Sequence, residues 1–174
     1  MLLSLLSVAV AYALFPLCMV GAALWDMRTF TIPNCLCIAL VASFALAVLL
    51  AGLSMHDLVP HLVAGGIALL IGFVLFAFRV IGGGDGKFLA ASALWFGWPD
   101  ASAYAVYFSL AGGALVLTLL ILRNMTLPPA HLATRPWIVR LYDPKGGVPY
   151  GVALAIGGLL VYPHTDMFSR LIAG

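Results

Sequence analysis

The sequence predicts an all-α, polytopic integral membrane protein with six transmembrane helices. Three observations predict this class. Of the 174 residues, 64% are hydrophobic and only 8% are charged, whereas a soluble domain carries roughly 25% charged residues. The mean hydropathy is +1.16. Several apolar runs approach or exceed the ~20 residues that a helix needs to cross a bilayer. We therefore treat residues 1–174 as a single membrane-embedded domain.

The charge and cysteine content exclude several other classes. A net charge of +2 is too small to suggest a nucleic-acid partner. The three cysteines, Cys18, Cys35 and Cys37, form no disulfide framework. They form no zinc motif either, because one residue separates Cys35 from Cys37 where zinc sites use two to four. The four histidines do not cluster in the sequence. We expect neither a metal nor another cofactor.

The first predicted helix is Leu2–Leu24, with Pro16 tolerated inside a membrane span. We expect it to be retained, since no Lys or Arg precedes Arg28 and the basic start of a signal peptide is missing. Asp26 lies just past its predicted end. A polar turn over residues 29–34 follows, and its proline favours the start of a new helix.

The remaining elements follow from apolar runs and their breakers. Helix 2 is predicted to end at about Leu53, and a loop covers residues 54–57. Helix 4 starts near Asp85 or Lys87 and has only about 13 residues, or ~20 Å. A short tail follows helix 6. The other predicted ranges are Leu58–Phe78 for helix 3, Ala101–Leu122 for helix 5, Arg123–Gly147 for a long loop and Val148–Val161 for helix 6.

Charge sidedness tests whether the short helix 4 crosses the membrane. If it does, seven of the eight basic residues lie on one face, and Arg170 alone remains on the other. The positive-inside rule makes the basic face cytoplasmic and leaves both termini outside the cytoplasm. Trp95 and Trp98 are then expected near the far interface. The seven residues are Arg28, Arg79, Lys87, Arg123, Arg135, Arg140 and Lys145.

This topology places Asp26 and Asp85 on the cytoplasmic side at similar depth. Of the other acids, Asp57, Asp100 and Asp166 fall on the opposite face, and Asp143 lies in the long cytoplasmic loop. Two adjacent carboxylates share a proton, so that one can activate a water while the other donates a proton to a peptide carbonyl. Each aspartate taken alone could instead be an interfacial residue or a helix cap.

Glycines surround the second aspartate, in the run Gly82-Gly83-Gly84-Asp85-Gly86-Lys87. They permit backbone conformations closed to other residues and a close approach by a substrate backbone. At a helix N-terminus, the dipole favours the ionised form of Asp85. Lys87 could hold a carboxylate ionised or serve as an interfacial anchor.

Three blocks of the sequence together resemble the type IV prepilin peptidases, the Gly-x-Gly-Asp membrane aspartyl proteases of bacteria. The blocks are Asp26-Met27-Arg28 with Ile32-Pro33-Asn34, Gly82–Lys87, and Lys145–Gly151, and they occur in the family's order. The resemblance extends from about Ala11 to Gly158. It implies a multi-pass enzyme of the bacterial cytoplasmic (inner) membrane. Such an enzyme removes the basic leader of prepilins or pseudopilins at the cytoplasmic face.

The resemblance also implies roles for particular residues. Asp26 and Asp85 would be catalytic, and Pro149, Tyr150 and Gly151 would shape the substrate site with the glycines 82–84 and Lys87. Pro149 could instead simply begin a helix. No Cys-x-x-Cys insertion is present, so N-methylation is not expected, and the compact form resembles the peptidases of Tad/Flp-type pilus systems. Gly86 stands where the family more often has a larger apolar residue, which suggests local flexibility.

Two other functions remain open at this point. One is a small proton- or ion-coupled transporter, which would favour carboxylates near the membrane midplane. The other is a non-catalytic subunit of a pilus or secretion assembly. The basic loop suits contact with anionic membrane lipid. The sequence does not determine an oligomeric state.

Overall fold

The computed structural model describes residues 2–125, 134–144 and 146–173, and these form helices without a β-strand. The all-α prediction is therefore confirmed for the described chain. The elements are α1 (Leu2–Thr29), α2 (Asn34–Leu50), α3 (Met55–Ala77), α4 (Gly83–Phe96), α5 (Asp100–Met125), α6 (Pro136–Tyr142), α7 (Tyr150–Val161), a 3₁₀ turn (Tyr162–His164) and α8 (Asp166–Ala173).

The short helix α4 is the centre of the bundle. Nine of its fourteen residues are buried, and it packs against α2, α3, α5 and α7. Trp95 on α4 is fully buried, packs against the Phe15 ring in a tilted arrangement and donates a hydrogen bond from Nε1 to the Leu40 carbonyl at 3.0 Å. Trp95 is therefore a core residue that does not face lipid, and its predicted position near the far interface stays a prediction. Trp98 is 60% exposed, as an interfacial residue would be.

The helix α1 is longer than its apolar run. It continues through Asp26 to Thr29, and the Phe30 N–H donates to the Asp26 carbonyl at 2.7 Å. Asp26 thus lies in the last helical turn, not past the helix end as predicted. The apolar run indicates the part of the helix that lipid could surround, whereas the helix itself continues until its backbone hydrogen bonds stop. Pro16 lies within the helix.

The start of α3 also differs from the prediction. The expected loop over residues 54–57 is helical from Met55, because Ser54 caps the helix. The Ser54 hydroxyl accepts the Asp57 N–H, and the Asp57 carboxylate accepts the Ser54 N–H in return. This reciprocal pair satisfies two amides that would otherwise lack partners. The start of helix 4 and the short turn before α2 agree with their predictions to within a few residues.

The predicted tail folds into the 3₁₀ turn and α8. Arg170 on α8 donates to Asp166 at 2.6 Å and to Asp57 at the start of α3 at 3.3 Å. The pattern of apolar residues Met167 and Leu171, both buried, places one face of α8 on the bundle. Within the predicted loop Arg123–Gly147, α6 forms, while Pro128, Pro129, His131 and Lys145 lie outside the described residues.

Two of the described helices are long and apolar enough to cross a membrane, Met55–Ala77 and Asp100–Asn124. Shorter apolar helices cover Asn34–Leu50 and Tyr150–His164. Six spans therefore stay a prediction. The bundle does place the Arg170–Asp57 pair at one end and Asp26 with Asp85 at the other, as the predicted topology requires.

Candidate active site

Asp26 is a buried carboxylate held by the start of another helix. It is only 2% exposed, and its Oδ2 accepts the backbone N–H of Gly151 at 2.7 Å. Gly151 lies in the first turn of α7, just after Pro149 at the N-cap position. The first amides of a helix have no partner within the helix and bind anions readily. The Pro149-Tyr150-Gly151 block thus delivers a hydrogen-bond donor to Asp26.

The contact with Asp26 requires glycine at position 151. A Cβ added there would lie 2.9 Å from both the Cβ and the Oδ2 of Asp26, and 3.0 Å from Cδ1 of Ile32. These separations are shorter than carbon atoms and carboxylate oxygens tolerate. A side chain at this position would therefore push the carboxylate away from its donor.

Asp85 lies in the first turn of α4, at the rim of a cleft. Its Oδ2 accepts the Gly82 N–H at 3.1 Å, which is one half of a capping box. The capping role that the sequence left open is therefore present in the structure. Asp85 is only partly buried and lines a cleft of about 380 Å³. The other lining residues are Phe30, Phe76, Arg79, Val80, Ile81, Gly82, Gly147, Val148 and Tyr150.

The fold brings the two aspartates to one end of the bundle. Ile32, in the link between α1 and α2, packs against both Gly84, which precedes Asp85, and Gly151, which binds Asp26. A Cβ on Gly84 would lie 2.9 Å from the Ile32 carbonyl, and a Cβ on Gly151 would lie 3.0 Å from its Cδ1. The negative charge of Asp85 contributes to the rise in the pKa of Asp26. The two acids thus lie at one end of the bundle, and their equal depth in a membrane stays a prediction.

Burial disfavours the ionised form of both acids. Asp26 lies two residues beyond the apolar run of α1, and burial raises its pKa to about 6; the Gly151 hydrogen bond opposes this rise and the charge of Asp85 adds to it. Asp85 precedes the apolar part of α4, and burial raises its pKa also, with the Gly82 N–H opposing. Two carboxyls with raised pKa values, one buried and one lining the cleft, match the electrostatics of acid–base sites.

The other predicted site residues fall into two groups. Tyr150 and Gly82 line the cleft, Gly83 lies against the Phe76 ring and Pro149 is buried. Lys87 is directed elsewhere. Its Nζ donates to Asn34 Oδ1 at 3.2 Å and it lines a separate groove on the other side of α4. Of the two roles that the sequence left open for Lys87, an ion pair with a site carboxylate is not formed among the described residues, and the role of interfacial anchor stays a prediction.

Several features of the site carried no sequence signal. Phe30 and Arg79 line the cleft with φ values of 56° and 59°, in the left-handed region that non-glycine residues rarely adopt. Residues held in this way concentrate at functional sites. Gly72 on α3 meets Gly86 on α4, since a Cβ on Gly72 would lie 2.8 Å from the Gly86 Cα. Gly86 therefore allows close packing, where the sequence suggested flexibility.

Arg123 fixes the link that leads to α7. Its Nε donates to the Leu141 carbonyl and its guanidinium also donates to the Gly147 carbonyl, both at 2.8 Å. Charge-assisted bonds of this kind are stronger than neutral ones. The sequence predicted membrane sidedness and contact with anionic lipid for Arg123, and the structure adds a positioning contact beside the Pro149–Gly151 block.

Within residues 2–125, 134–144 and 146–173, no group of three His, Cys or Asp side chains is placed to hold a metal ion. The sequence model of the type IV leader peptidase family matches residues 13–127. A prepilin leader peptidase/N-methyltransferase of Aeromonas hydrophila is 30% identical over 188 aligned positions, which cover 98% of this chain and 58% of that protein. This chain thus spans a little over half of that relative's length. No solved structure matches the chain.

Proposed function

The chain belongs to the type IV leader peptidase family, and from this membership we propose that it removes the leader of prepilins or pseudopilins by acid–base hydrolysis on Asp26 and Asp85. One observation carries the proposal. Asp26 is buried, binds the Gly151 N–H and has a raised pKa, to which the charge of Asp85 contributes, and Asp85 itself lines the neighbouring cleft. The substrate class is taken from the relative's name and the family.

The different burial of the two acids assigns their roles. Asp85 lines the cleft and is the general base that takes a proton from the attacking water. Asp26 is the protonated partner. Its Oδ2 is occupied by the Gly151 N–H, so Oδ1 carries the proton. Two carboxyls in one site cannot both ionise easily, and they therefore share a proton.

The reaction then needs no covalent intermediate. Water oxygen bonds to the scissile carbonyl carbon as Asp85 accepts a water proton, and Asp26 gives its proton to the carbonyl oxygen. The resulting gem-diol collapses and the C–N bond breaks. Asp85 passes its proton to the leaving nitrogen, while a diol hydroxyl returns a proton to Asp26. Both carboxyls end as they began, and the products are a free acid and a free amine.

The setting is proposed to be the bacterial inner membrane, crossed by six spans, with the site at the cytoplasmic face. The basic residues Arg79, Lys87 and Arg123 support this orientation because they share the site's end of the bundle. The link between α1 and α2 has four residues, which supports a peptidase of the compact Tad/Flp type without N-methylation. Both acids lie at one end, which disfavours the transporter hypothesis.

Leader cleavage in proteoliposomes tests the proposal, with the mature N-terminus read by mass spectrometry. Asp26→Asn and Asp85→Asn are each expected to abolish cleavage while eluting as folded protein in gel filtration. Asp100→Asn, at the opposite end of α5 from Arg123, is the matched control and should cleave normally. Chelators should not inhibit. Normal cleavage by either site variant would show that the paired aspartates are not the catalytic groups.

A further inference from the structure

Arg79 closes the end of α3 in a backbone conformation that glycine usually adopts. Its φ is 59°, and its N–H donates to the Phe76 carbonyl at 2.9 Å. The following N–H, that of Val80, donates to the Leu75 carbonyl, also at 2.9 Å. This pair of bonds is the Schellman motif, whose left-handed residue is usually glycine because a Cβ is unfavourable there. The arginine side chain is therefore present at a cost to the stability of the helix end.

The end of α1 repeats this arrangement at the same cleft. Phe30 has a φ of 56°, and its N–H donates to the Asp26 carbonyl at 2.7 Å. By contrast, α2 begins beside the site, runs away from it and ends on Gly52, with a φ of 61°. Within the described ranges, Phe30 and Arg79 are the non-glycine residues with a positive φ, and both line the cleft of Asp85. Such residues concentrate at functional sites, so the two side chains are expected to act in the cleft.

The charge of Arg79 is not used within the described part of the protein. Arg79 is exposed, and among the described residues its guanidinium takes part in no ion pair and no hydrogen bond. Nor is Arg79 among the groups that shift the pKa of Asp26 or of Asp85. The guanidinium therefore lies apart from the reacting carboxyls, although it lines the same cleft as Asp85. This separation fits a residue that binds the substrate beside the cut, not one that takes part in breaking the bond.

The chemistry of the cleft favours an acidic ligand for Arg79. A guanidinium binds a carboxylate through two parallel N–H···O bonds. Apart from Asp85 and Arg79, the residues that line the cleft are apolar, aromatic or glycine, so Arg79 is the one cation in this lining. A basic side chain of the substrate would be repelled there, whereas an acidic side chain would find a positive partner. The basic residues of a leader are accordingly expected to lie away from Arg79.

We propose that Arg79 is a specificity-determining residue that binds an acidic side chain of the substrate close to the scissile bond. The inference rests on the proposed function. It explains why arginine occupies a position at which glycine would stabilise the end of α3. It also makes substrate selection depend on charge, since a lysine in place of the acid would face Arg79 as a like charge.

Matched synthetic substrates measure this charge preference. All carry the same basic leader and cleavage site, and one position after another on either side of the cut is set to Glu, Gln or Lys. At the position that reaches Arg79, the unchanged protein should cleave the Glu substrate with a kcat/KM about tenfold or more above that of the Gln substrate. The Lys substrate should be the poorest of the three. Equal values for Glu, Gln and Lys at every position would overturn the proposal.

Substitutions of Arg79 connect the preference to this side chain. Arg79→Gly should abolish the preference for Glu, and Arg79→Glu should reverse it in favour of Lys at the same position. The ratio of kcat/KM values is compared within each protein, so a general loss of activity does not imitate either result. Arg28→Gln removes an exposed positive charge at the same end of the bundle, outside the cleft lining, and should keep the preference. A preference that survives in Arg79→Gly would overturn the proposal.

Thermal unfolding separates recognition from a structural role. Glycine suits the left-handed conformation, so Arg79→Gly should fold, with a melting temperature at or above that of the unchanged protein. Gly52→Ala is the matched control, because its Cβ meets no atom within 4 Å and it places a side chain at the corresponding left-handed position after α2. It should lower the melting temperature. A melting temperature for Arg79→Gly well below that of the unchanged protein would show that Arg79 stabilises the fold, and would overturn the proposal.

Lipid composition and peptide binding distinguish the remaining outcomes. An effect of Arg79→Gly that appears only in vesicles containing phosphatidylglycerol, equally for the Glu, Gln and Lys substrates, would assign Arg79 to lipid phosphate and overturn the proposal. If the unchanged protein cleaves all substrates equally, the peptidase function stands and acid recognition fails. If it cleaves none, the peptidase function fails, and peptide binding to Asp26→Asn decides the role of Arg79. Tighter binding of the Glu peptide than of the Gln peptide, lost on adding Arg79→Gly, would support acid recognition, and equal binding would overturn it.

Discussion

Gly151 donates its backbone N–H to Oδ2 of Asp26 over 2.7 Å, across 125 residues of sequence. This bond joins the last turn of α1 to the first turn of α7 and orients a carboxyl that solvent scarcely reaches. A buried carboxylate is costly unless it is hydrogen-bonded. The relationship explains why a Pro-x-Gly block far along the chain belongs with the first aspartate.

Gly151→Ala should lower kcat/KM for leader cleavage by about 100-fold, since a displacement of ~1 Å at a reacting group costs that much. The new methyl group would lie 2.9 Å from Asp26 Oδ2 and force it aside. Weakening the hydrogen bond also raises the pKa of Asp26 further, so the alkaline limb of the pH–rate profile should move to higher pH. Gly113→Ala is the control, and an unshifted profile with normal kinetics would contradict the prediction.

Cleavage should decline as the pH rises through the higher apparent pKa of the pair. The pKa of Asp26 is raised to about 6 by burial, and the reaction requires that one carboxyl keep its proton. The protonated fraction is therefore lost above that value. A profile of kcat/KM against pH reports the free enzyme, and its alkaline limb should have an apparent pKa of about 6 or above. A limb near that of an ordinary aspartate, about 3.9, would contradict the assignment.

Asp26→Asn should raise the thermal stability of the protein at neutral and alkaline pH. Because the folded-state pKa of Asp26 lies above its unfolded value, folding binds a proton, and ionisation destabilises the folded state as pH rises from about 3.8 to about 6. Asparagine keeps an oxygen for the Gly151 N–H and avoids this cost. The melting temperature should exceed that of the unchanged protein at pH 8 and converge with it near pH 4. Asp100→Asn, which removes a carboxylate at the other end of the bundle, is the control.

Gly72→Ala should destabilise the protein by about 1–3 kcal/mol, the usual cost of overpacking. Its methyl group would lie 2.8 Å from Gly86 Cα and 2.9 Å from the Gly86 carbonyl oxygen, so α3 and α4 would have to separate. Gly66→Ala on the same helix meets nothing within 4 Å and is the matched control. Thermal unfolding in detergent measures both. A melting temperature for Gly72→Ala equal to that of Gly66→Ala would show that the glycine contact is dispensable.

The sequence by itself determined the helical class, the family and the two aspartates as a candidate pair. Apolar composition and span length are local properties, and the three motif blocks can be read without coordinates. Charge sidedness then placed Asp26 and Asp85 at one end. None of these inferences requires knowledge of which helices pack against each other.

Only the tertiary structure decided what the side chains contact. Tryptophan is common at membrane interfaces, yet Trp95 is buried because α4 is the central helix. Lys87 follows Asp85 by two residues, yet it turns to Asn34 and the groove. The contacts of Gly72 with Gly86 and of Gly151 with Asp26 join distant segments. Contacts of this kind depend on how the helices pack, which no local sequence pattern encodes. They are the reason that two acids distant in the sequence form one candidate site.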